Sequence, residues 1–283
     1  MGNKMHILGI GRLSDKDELA LEQIRLWIYD TAGMHYPEKK YEMLAQRLMN
    51  VATKFGFSSL AELNDALHGV AGYDLRLAVL HSASTNHTYF YREEGVLLYF
   101  RDKVLPTLPQ QGKLRIWSAA TSTGEEAYTL AILLTELFGA EAANRVSFLG
   151  TDISQSVISH AEQGIYDVSR LQYLPKHLLP RYFQYAGLSQ FKIHDRIQKM
   201  VIFRRLNLMS APYPFRSQFH AVFCRNVLYY FDKEDQLRVV ESLYDVTLPG
   251  GWLFTSVTES LRDMPTRWLL IEPGVYRKME GTV

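Results

Sequence analysis

The order of local patterns predicts an α/β protein: a doubly wound, mostly parallel sheet with an N-terminal helical domain and a small antiparallel β insert. Three observations carry this. From Leu114 onward, short apolar runs alternate with helical patterns. Before that point helical rhythm alone is found. Inside the second part, residues 173–205 break the alternation. The expected division is a helical domain and linker over 1–84 and a sheet domain over 85–283, with the insert at about 173–205.

Asp15 to Tyr29 opens the helical part, with Leu21, Ile24, Trp27 and Ile28 at three- and four-residue spacing. Glu42 to Phe55 repeats the rhythm with Leu44, Leu48, Met49 and Val51. Ser58-Ser59-Leu60-Ala61-Glu62 reads as a helix start with a capping acid. Asp74 to Ser82 is a fourth helix. No strand signal interrupts this region.

In the second part, Leu114 to Ser118 is a short strand and Gly124 to Phe138 a helix. Val146 to Gly150 is a strand, followed by a helix over Ser154 to Gln163. Ala221 to Cys224 and Gly251 to Thr255 are later strands, separated by the helix Lys233 to Val246 and the turn Pro249-Gly250-Gly251. Pro175 and Pro180 interrupt the intervening stretch. Short alternations such as Phe191-Lys192-Ile193-His194 then mark an antiparallel hairpin unit.

Composition narrows the function classes. Hydrophobic residues make up 47% and charged residues 22%, which suits a soluble globular protein with a real core. A net charge of +1 provides no global field for nucleic acid or an anionic membrane. The single cysteine, Cys224, excludes a disulfide framework or a cysteine metal site. In Ala221-Val222-Phe223-Cys224 it is expected as a buried thiol. No apolar stretch approaches the roughly 18 residues of a membrane span, and Met1-Gly2-Asn3-Lys4-Met5-His6 lacks a signal peptide's apolar region. A cytoplasmic protein is expected, with no nucleic acid, no metal and no membrane insertion, and a monomer favoured.

In an open parallel sheet, ligands bind beyond the carboxyl ends of the strands. After the first strand comes Ala119-Ala120-Thr121-Ser122-Thr123-Gly124-Glu125-Glu126, a small-residue loop that lets a ligand approach the backbone. An ordinary strand–helix turn accounts for it equally well. After the second strand, Asp152 can accept hydrogen bonds from both ribose hydroxyls of a nucleoside, or cap the next helix. Together they suggest an adenosyl ligand. The loop lacks the three-glycine pyrophosphate fingerprint, and Glu125 and Glu126 would repel a pyrophosphate but suit an ammonium or sulfonium. That favours S-adenosylmethionine over a nicotinamide cofactor. Asn207-Leu208 and Arg225-Asn226-Val227 also follow apolar runs. Their asparagines can serve an adenine edge and an amino acid tail, or plain turn chemistry.

Three long strings share a resemblance. Trp117 to Tyr128 (WSAATSTGEEAY), Cys224 to Lys233 (CRNVLYYFDK) and Thr85 to Glu93 (TNHTYFYRE) resemble, in the right order, the motifs of the chemotaxis receptor methyltransferase (CheR) family. The similarity runs from about Leu19 to the closing Val275-Tyr276-Arg277. It implies an S-adenosylmethionine-dependent protein-glutamate O-methyltransferase acting on the cytoplasmic helical domain of chemoreceptors. Carried over by motif, Asn86, Thr88 and Arg92 contact the cofactor or line the site. Glu126 holds the methionine ammonium and Asp152 the ribose, while Asn207, Leu208, Asn226 and Val227 complete the adenosyl pocket. Arg92 and Tyr230 are the catalytic candidates, placing the acceptor carboxylate beside the methyl group. Against this stand pairing of Arg92 with Glu93 or Asp102, and core packing of Tyr230.

The chemistry suits these residue types. A glutamate carboxylate is already an ionised nucleophile at neutral pH. A sulfonium is an activated leaving group, so alignment and water exclusion matter more than a strong base. A guanidinium orients a carboxylate through two parallel hydrogen bonds.

Departures from the family pattern concern the acceptor. Tyr91 stands where a second phenylalanine is usual, and Ser256-Val257-Thr258-Glu259 replaces Gly-His-Ser-Glu. In the second helix Lys39, Lys40, Arg47 and Lys54 remain, while Asn50, Val51 and Ala52 dilute the basic charge. The hairpin unit between Phe183 and Val201 is short, which leads to the expectation that no receptor C-terminal pentapeptide is needed. The alternatives are a non-catalytic S-adenosylmethionine-binding regulator in a chemosensory complex and a methyltransferase for small molecules.

Overall fold

The computed structural model describes residues 6–7, 11–69, 73–83, 88–109 and 111–280. The chain divides into two units, Met1–Thr85 with Tyr230–Asp232, and Asn86–Tyr229 with Lys233–Val283.

The first unit begins with a short antiparallel pair, β1 (His6–Ile7) and β2 (Gly11–Arg12). Two-residue strands are too short to leave a periodic signal, which explains their absence from the sequence reading. Helix α1 (Asp15–Ala32) starts where the Ser14 hydroxyl accepts the Asp17 N–H, with Asp15, Asp17 and Glu18 at its positive end. It buries Leu21, Ile24 and Ile28 and stops at Gly33, whose φ of 70° lets its N–H reach the Tyr29 carbonyl. Helix α2 (Tyr41–Lys54) buries Leu44, Ala45, Leu48, Val51 and Ala52. Val51 and Ala52 therefore belong to the packed face and do not dilute an exposed basic one. Arg47 points partly inward, towards the Ser82 and Ala83 carbonyls at 3.5 Å. Helix α3 (Leu60–His68) is capped by Ser59, and the Glu62 carboxylate reaches back to Ser58. Helix α4 is Tyr73–Ala83. Tyr230–Asp232 joins this unit, with the His35 N–H donating to the Tyr230 carbonyl and the Tyr29 hydroxyl to Asp232 at 2.6 Å.

The second unit runs through α5 (Glu94–Tyr99), β3 (Leu114–Ser118), α6 (Glu125–Phe138), α7 (Ala142–Arg145), β4 (Val146–Asp152) and α8 (Gln155–Gln163). Then follow β5 (Ile165–Asp167), α9 (Leu179–Tyr182), β6 (Phe183–Gly187), β7 (Gln190–Ile193), α10 (Asp195–Gln198) and β8 (Val201–Arg205). Strand β9 (Phe219–Phe223), helix α11 (Lys233–Asp245) and strands β10 (Thr247–Phe254), β11 (Leu269–Glu272) and β12 (Val275–Arg277) complete it. The main sheet has the order β11-β12-β10-β9-β3-β4-β8. Strands β10, β9, β3, β4 and β8 are parallel, and β12 and β11 add an antiparallel pair at one edge.

Apolar residues fill both faces of the central strands, as parallel sheets require. Phe100, Phe223 and Phe254 pack with ring centroids 4.4–5.4 Å apart. Cys224 is fully buried beside them in sequence, and burial pushes its thiol up. The insert is a three-stranded antiparallel sheet, β5-β7-β6. It begins at Ile165, earlier than expected, and β8 leaves it for the edge of the main sheet. A three-residue strand such as β5 is hard to see in sequence. β8 is paired with β4 by contacts distant along the chain.

Strand order fixes the place of the site. β3 has β4 on one side and β9 on the other, all three parallel, so the order in which strands are added reverses at β3. Such a switch point opens a crevice at the carboxyl ends of the strands. Three loops converge there: the one after β3, the one after β4 and the one after β9.

Candidate active site

The loop after β3 is stitched to its neighbours. The Ala119 N–H donates to the Phe223 carbonyl at 2.7 Å and the Thr121 N–H to the Thr151 carbonyl at 2.9 Å. Ser122 adopts φ 51°, and its N–H donates to Asp152 Oδ2 at 2.9 Å. Asp152 Oδ1 accepts the Ser154 N–H at 3.0 Å. Asp152 thus braces the start of α8, the structural role weighed in the sequence, and also ties the loop after β3. Each carboxylate oxygen keeps acceptor capacity, since a carboxylate accepts about four hydrogen bonds. Burial pushes this carboxyl above its ordinary range, against the backbone N–H groups of Ser154, Ser122 and Ile153. A desolvated carboxylate with spare lone pairs suits a pair of ribose hydroxyls.

Gly124 has a packing reason to be glycine. It has φ +93°, and a Cβ there would lie 2.8 Å from Ala161 Cβ and 3.1 Å from the Tyr166 hydroxyl. The glycine lets α6 begin against α8. The two glutamates after it diverge. Glu126 Oε1 accepts from the Ser118 hydroxyl at 2.8 Å and Oε2 from Arg225 Nη1 at 3.0 Å. Glu125 is fully buried. Its Oε2 accepts from the Thr123 hydroxyl at 2.7 Å, and Arg170 Nε lies 3.9 Å from Oε1. Burial raises the Glu125 carboxyl, opposed by Thr123, Arg170 and Thr88.

Arg92 lies on the turn leading to α5, with its guanidinium 5.8 Å from the centroid of the Tyr89 ring. The carboxylates weighed as its structural partners are engaged elsewhere. Asp102 binds Arg101 through both oxygens at 2.6 and 2.8 Å. Glu93 accepts from Asn226 Nδ2 (3.0 Å), the Ser256 hydroxyl (2.9 Å) and the Val257 N–H (3.3 Å), with Arg225 Nη2 at 3.4 Å. Burial alone would raise the Glu93 carboxyl, but these donors together hold it below its ordinary range.

The loop after β9 is held by Glu259. Its carboxylate accepts the backbone N–H groups of Asn226 (2.7 Å), Leu228 (2.8 Å), Ser256 (3.1 Å) and Tyr229 (3.4 Å). Asn226 adopts φ 60°. The residue therefore serves this loop's geometry through its backbone and Glu93 through its side chain. Asn207 uses Oδ1 to accept the Met209 N–H at 3.0 Å, a turn role. The buried Leu208 offers its carbonyl to the Tyr213 hydroxyl at 2.8 Å.

The second unit therefore gathers Thr88, Arg92, Glu126, Asp152, Asn207, Leu208, Asn226 and Val227 on segments at or leading to the strand ends. Asn86 lies outside the described residues, and Tyr230 is grouped with the first unit. Sequence reading missed Arg225, Glu93 and Glu259 as organisers, although Arg225 and Glu93 stand inside the quoted motifs. Arg170 carried no sequence signal.

An adenosyl cofactor with a cationic amino acid tail fits these residues. Among the described residues the buried Thr121 and Ser122 hydroxyl oxygens of the loop have no hydrogen-bond partner. Native structures seldom leave such groups unmet without a ligand or water to meet them. Parallel sheet, switch-point loop and strand-end acid together define the class of nucleoside-binding α/β proteins.

Comparison with known proteins narrows the class to a family. Residues 86–274 match the family described as "CheR methyltransferase, SAM binding domain". The chain is 33% identical to the chemotaxis protein methyltransferase of Borreliella burgdorferi over 270 residues, covering 93% of this chain and 94% of the relative. It is 32% identical to chemotaxis protein methyltransferase 1 of Vibrio cholerae, with 88% and 92% covered. It is also 32% identical to chemotaxis protein methyltransferase 1 of Pseudomonas aeruginosa, with 90% and 96% covered. The chain belongs to the CheR methyltransferase family. It is an S-adenosylmethionine-dependent methyltransferase, and no helix among its described residues is long and apolar enough to cross a membrane.

Proposed function

We propose that this enzyme methylates glutamate side chains on the cytoplasmic helical domains of chemotaxis-type receptors, giving glutamyl methyl esters and S-adenosylhomocysteine. The observation that carries the reading is the bonding of Arg225 to both Glu126 and the Arg92 carbonyl, at 3.0 and 2.6 Å. It links the cofactor side of the site to an arginine suited to a carboxylate substrate.

When bound, the cofactor supplies a methyl group on a positively charged sulfur. Asp152 and Glu126 hold its ribose and its ammonium with the acceptor capacity their protein partners leave over. Asn207, Leu208, Asn226 and Val227 border the adenosyl part, with Asn86 and Thr88 on the preceding segment. Arg92 orients the acceptor carboxylate by charge-assisted hydrogen bonds, and Tyr230 is its second positioning group. Neither residue moves a proton, because the acceptor is ionised at neutral pH. Grip on that carboxylate must stay moderate, since stabilising the ground state as much as the transition state gives no acceleration.

The protein acts in the cytoplasm and without a receptor pentapeptide tether. The short β6–β7 hairpin supports the latter; it turns tightly at Leu188 and Ser189, which adopt φ 49° and 61°. The test is transfer of labelled methyl from S-adenosylmethionine to purified receptor cytoplasmic domains, with and without the C-terminal pentapeptide. Label released as methanol by mild base, at rates independent of the pentapeptide, is expected. A base-stable product overturns the glutamyl ester, and tight binding of the isolated pentapeptide overturns tether independence.

A further inference from the structure

We infer that Arg170 and Arg225 are positioning residues for Arg92, clamping the two ends of the turn that carries it. The inference rests on the proposed role of Arg92 in orienting the acceptor.

The turn needs such a clamp. Tyr91 and Glu93, on either side of Arg92, adopt φ 61° and 52°. Residues with a Cβ avoid this left-handed region, and persist there only where the surroundings impose it. At the leading end, Arg170 Nη1 donates to the Thr88 carbonyl, and the Phe90 N–H donates to the Arg170 carbonyl at 3.0 Å. The Tyr91 N–H donates to the Thr129 hydroxyl of α6 at 3.2 Å. At the trailing end, Arg225 Nη2 donates to the Arg92 carbonyl at 2.6 Å. Glu93 then ties the turn to Asn226 and Ser256.

Both arginines are held by the first turn of α6. Glu125 faces Arg170, with Nε 3.9 Å from Oε1, and Glu126 binds Arg225 at 3.0 Å. Two consecutive residues of one helix thus hold opposite ends of the Arg92 turn. That helix also follows the loop assigned to the cofactor, so α6 sets methyl donor and acceptor-binding arginine in mutual register. Arg225 must be arginine for this. Its guanidinium, with a side chain only 2% exposed, meets Glu126, Glu93 and the Arg92 carbonyl at once. A lysine ammonium on a flexible stem cannot span those three partners in one plane.

Two measurements on the full-length protein test the clamp. The first is a double-mutant cycle on methyl transfer with Arg225→Lys and Arg92→Ala. Arg225→Lys alone is expected to lower kcat by about 10–100-fold, the usual range for a lost charge-assisted hydrogen bond. In the Arg92→Ala background it should cost less than about 3-fold more, because groups acting through one another are non-additive. Fully additive losses overturn the inference. The second is amide hydrogen exchange across residues 88–96 in Arg170→Lys and Arg225→Lys. Exchange there should rise at least about 10-fold while β3 and the body of α6 stay protected. Unchanged exchange in that segment overturns the clamp. Should Arg225→Lys fail to fold, Glu93→Gln takes its place in both measurements, since it removes the ion pair at the same end of the turn. If the wild-type protein esterifies no receptor, the proposed substrate falls while hydrogen exchange still decides the clamp.

Discussion

Glu93 and Glu259 are both carboxylates of the loop region, yet their surroundings act on them in opposite directions. Burial raises the Glu259 carboxyl, with four backbone N–H groups opposing it. Glu93 is also penalised by burial, but Asn226, Arg225, Ser256 and the Val257 N–H outweigh that penalty. The sign of the Glu93 effect on stability follows directly. Its folded-state value is depressed below the ordinary 4.5, so its contribution is complete above about pH 4.5 and is lost as pH falls through the depressed value. Glu93→Gln should therefore give a shallower acid limb in a plot of melting temperature against pH than the wild-type protein. Parallel acid limbs for the two proteins would refute this. Glu126, inside a quoted motif, and Asp152, after the second strand, were singled out in the sequence because strand-end carboxylates have a chemical reason to be there. The motifs did not announce Glu259, whose partners are backbone amides of a loop 30 or more residues away along the chain.

At the scale of elements, the approach of α6 to α8 depends on one position. Gly124 has a positive φ, and Ala161 lies too close for any Cβ there. Gly124→Ala combines backbone strain with overpacking, each worth roughly 1–3 kcal/mol. Urea denaturation should show a loss of at least about 1 kcal/mol, and a stability within experimental error of wild type would remove the packing argument. Helices with strong caps were legible in advance. Ser59 stands directly before apolar periodicity and does cap α3. Val201–Arg205 was not legible as a main-sheet strand, since nothing local distinguishes an edge strand of one sheet from a strand of another. The same limit applied to Val51 and Ala52, whose side of α2 is decided by packing.

For the whole molecule, the site lies where the order of parallel strands reverses, so cofactor binding is linked to folding of the sheet unit. A ligand that binds only the native state stabilises it by mass action, about 2.7 kcal/mol at a hundred times its Kd. S-adenosylhomocysteine at that excess should raise the melting temperature by several degrees, given the sensitivity of domains of this size. Calorimetry over a ligand series checks this, and a melting temperature indifferent to ligand would contradict it. Tyr230–Asp232, the last residues before α11, group with the first unit. The residues following the Asn226 loop thus pass from one unit to the other within a single motif.

Local chemistry was enough to determine the fold class and the strand-end loops, because these depend on periodicity and side-chain type within short windows, and the family was legible only through the resemblance of three motif strings. Tertiary structure alone decided which glutamate meets which arginine, why Gly124 is a glycine, and which groups Arg170 and Glu259 engage. Those facts arise from contacts between residues tens to more than a hundred positions apart, where burial and geometry, not local sequence, select the partners. Arg225 shows both sides: its place in a motif marked it as part of the site, but its bonds to Glu126, Glu93 and the Arg92 carbonyl exist only once the sheet has brought three loops together.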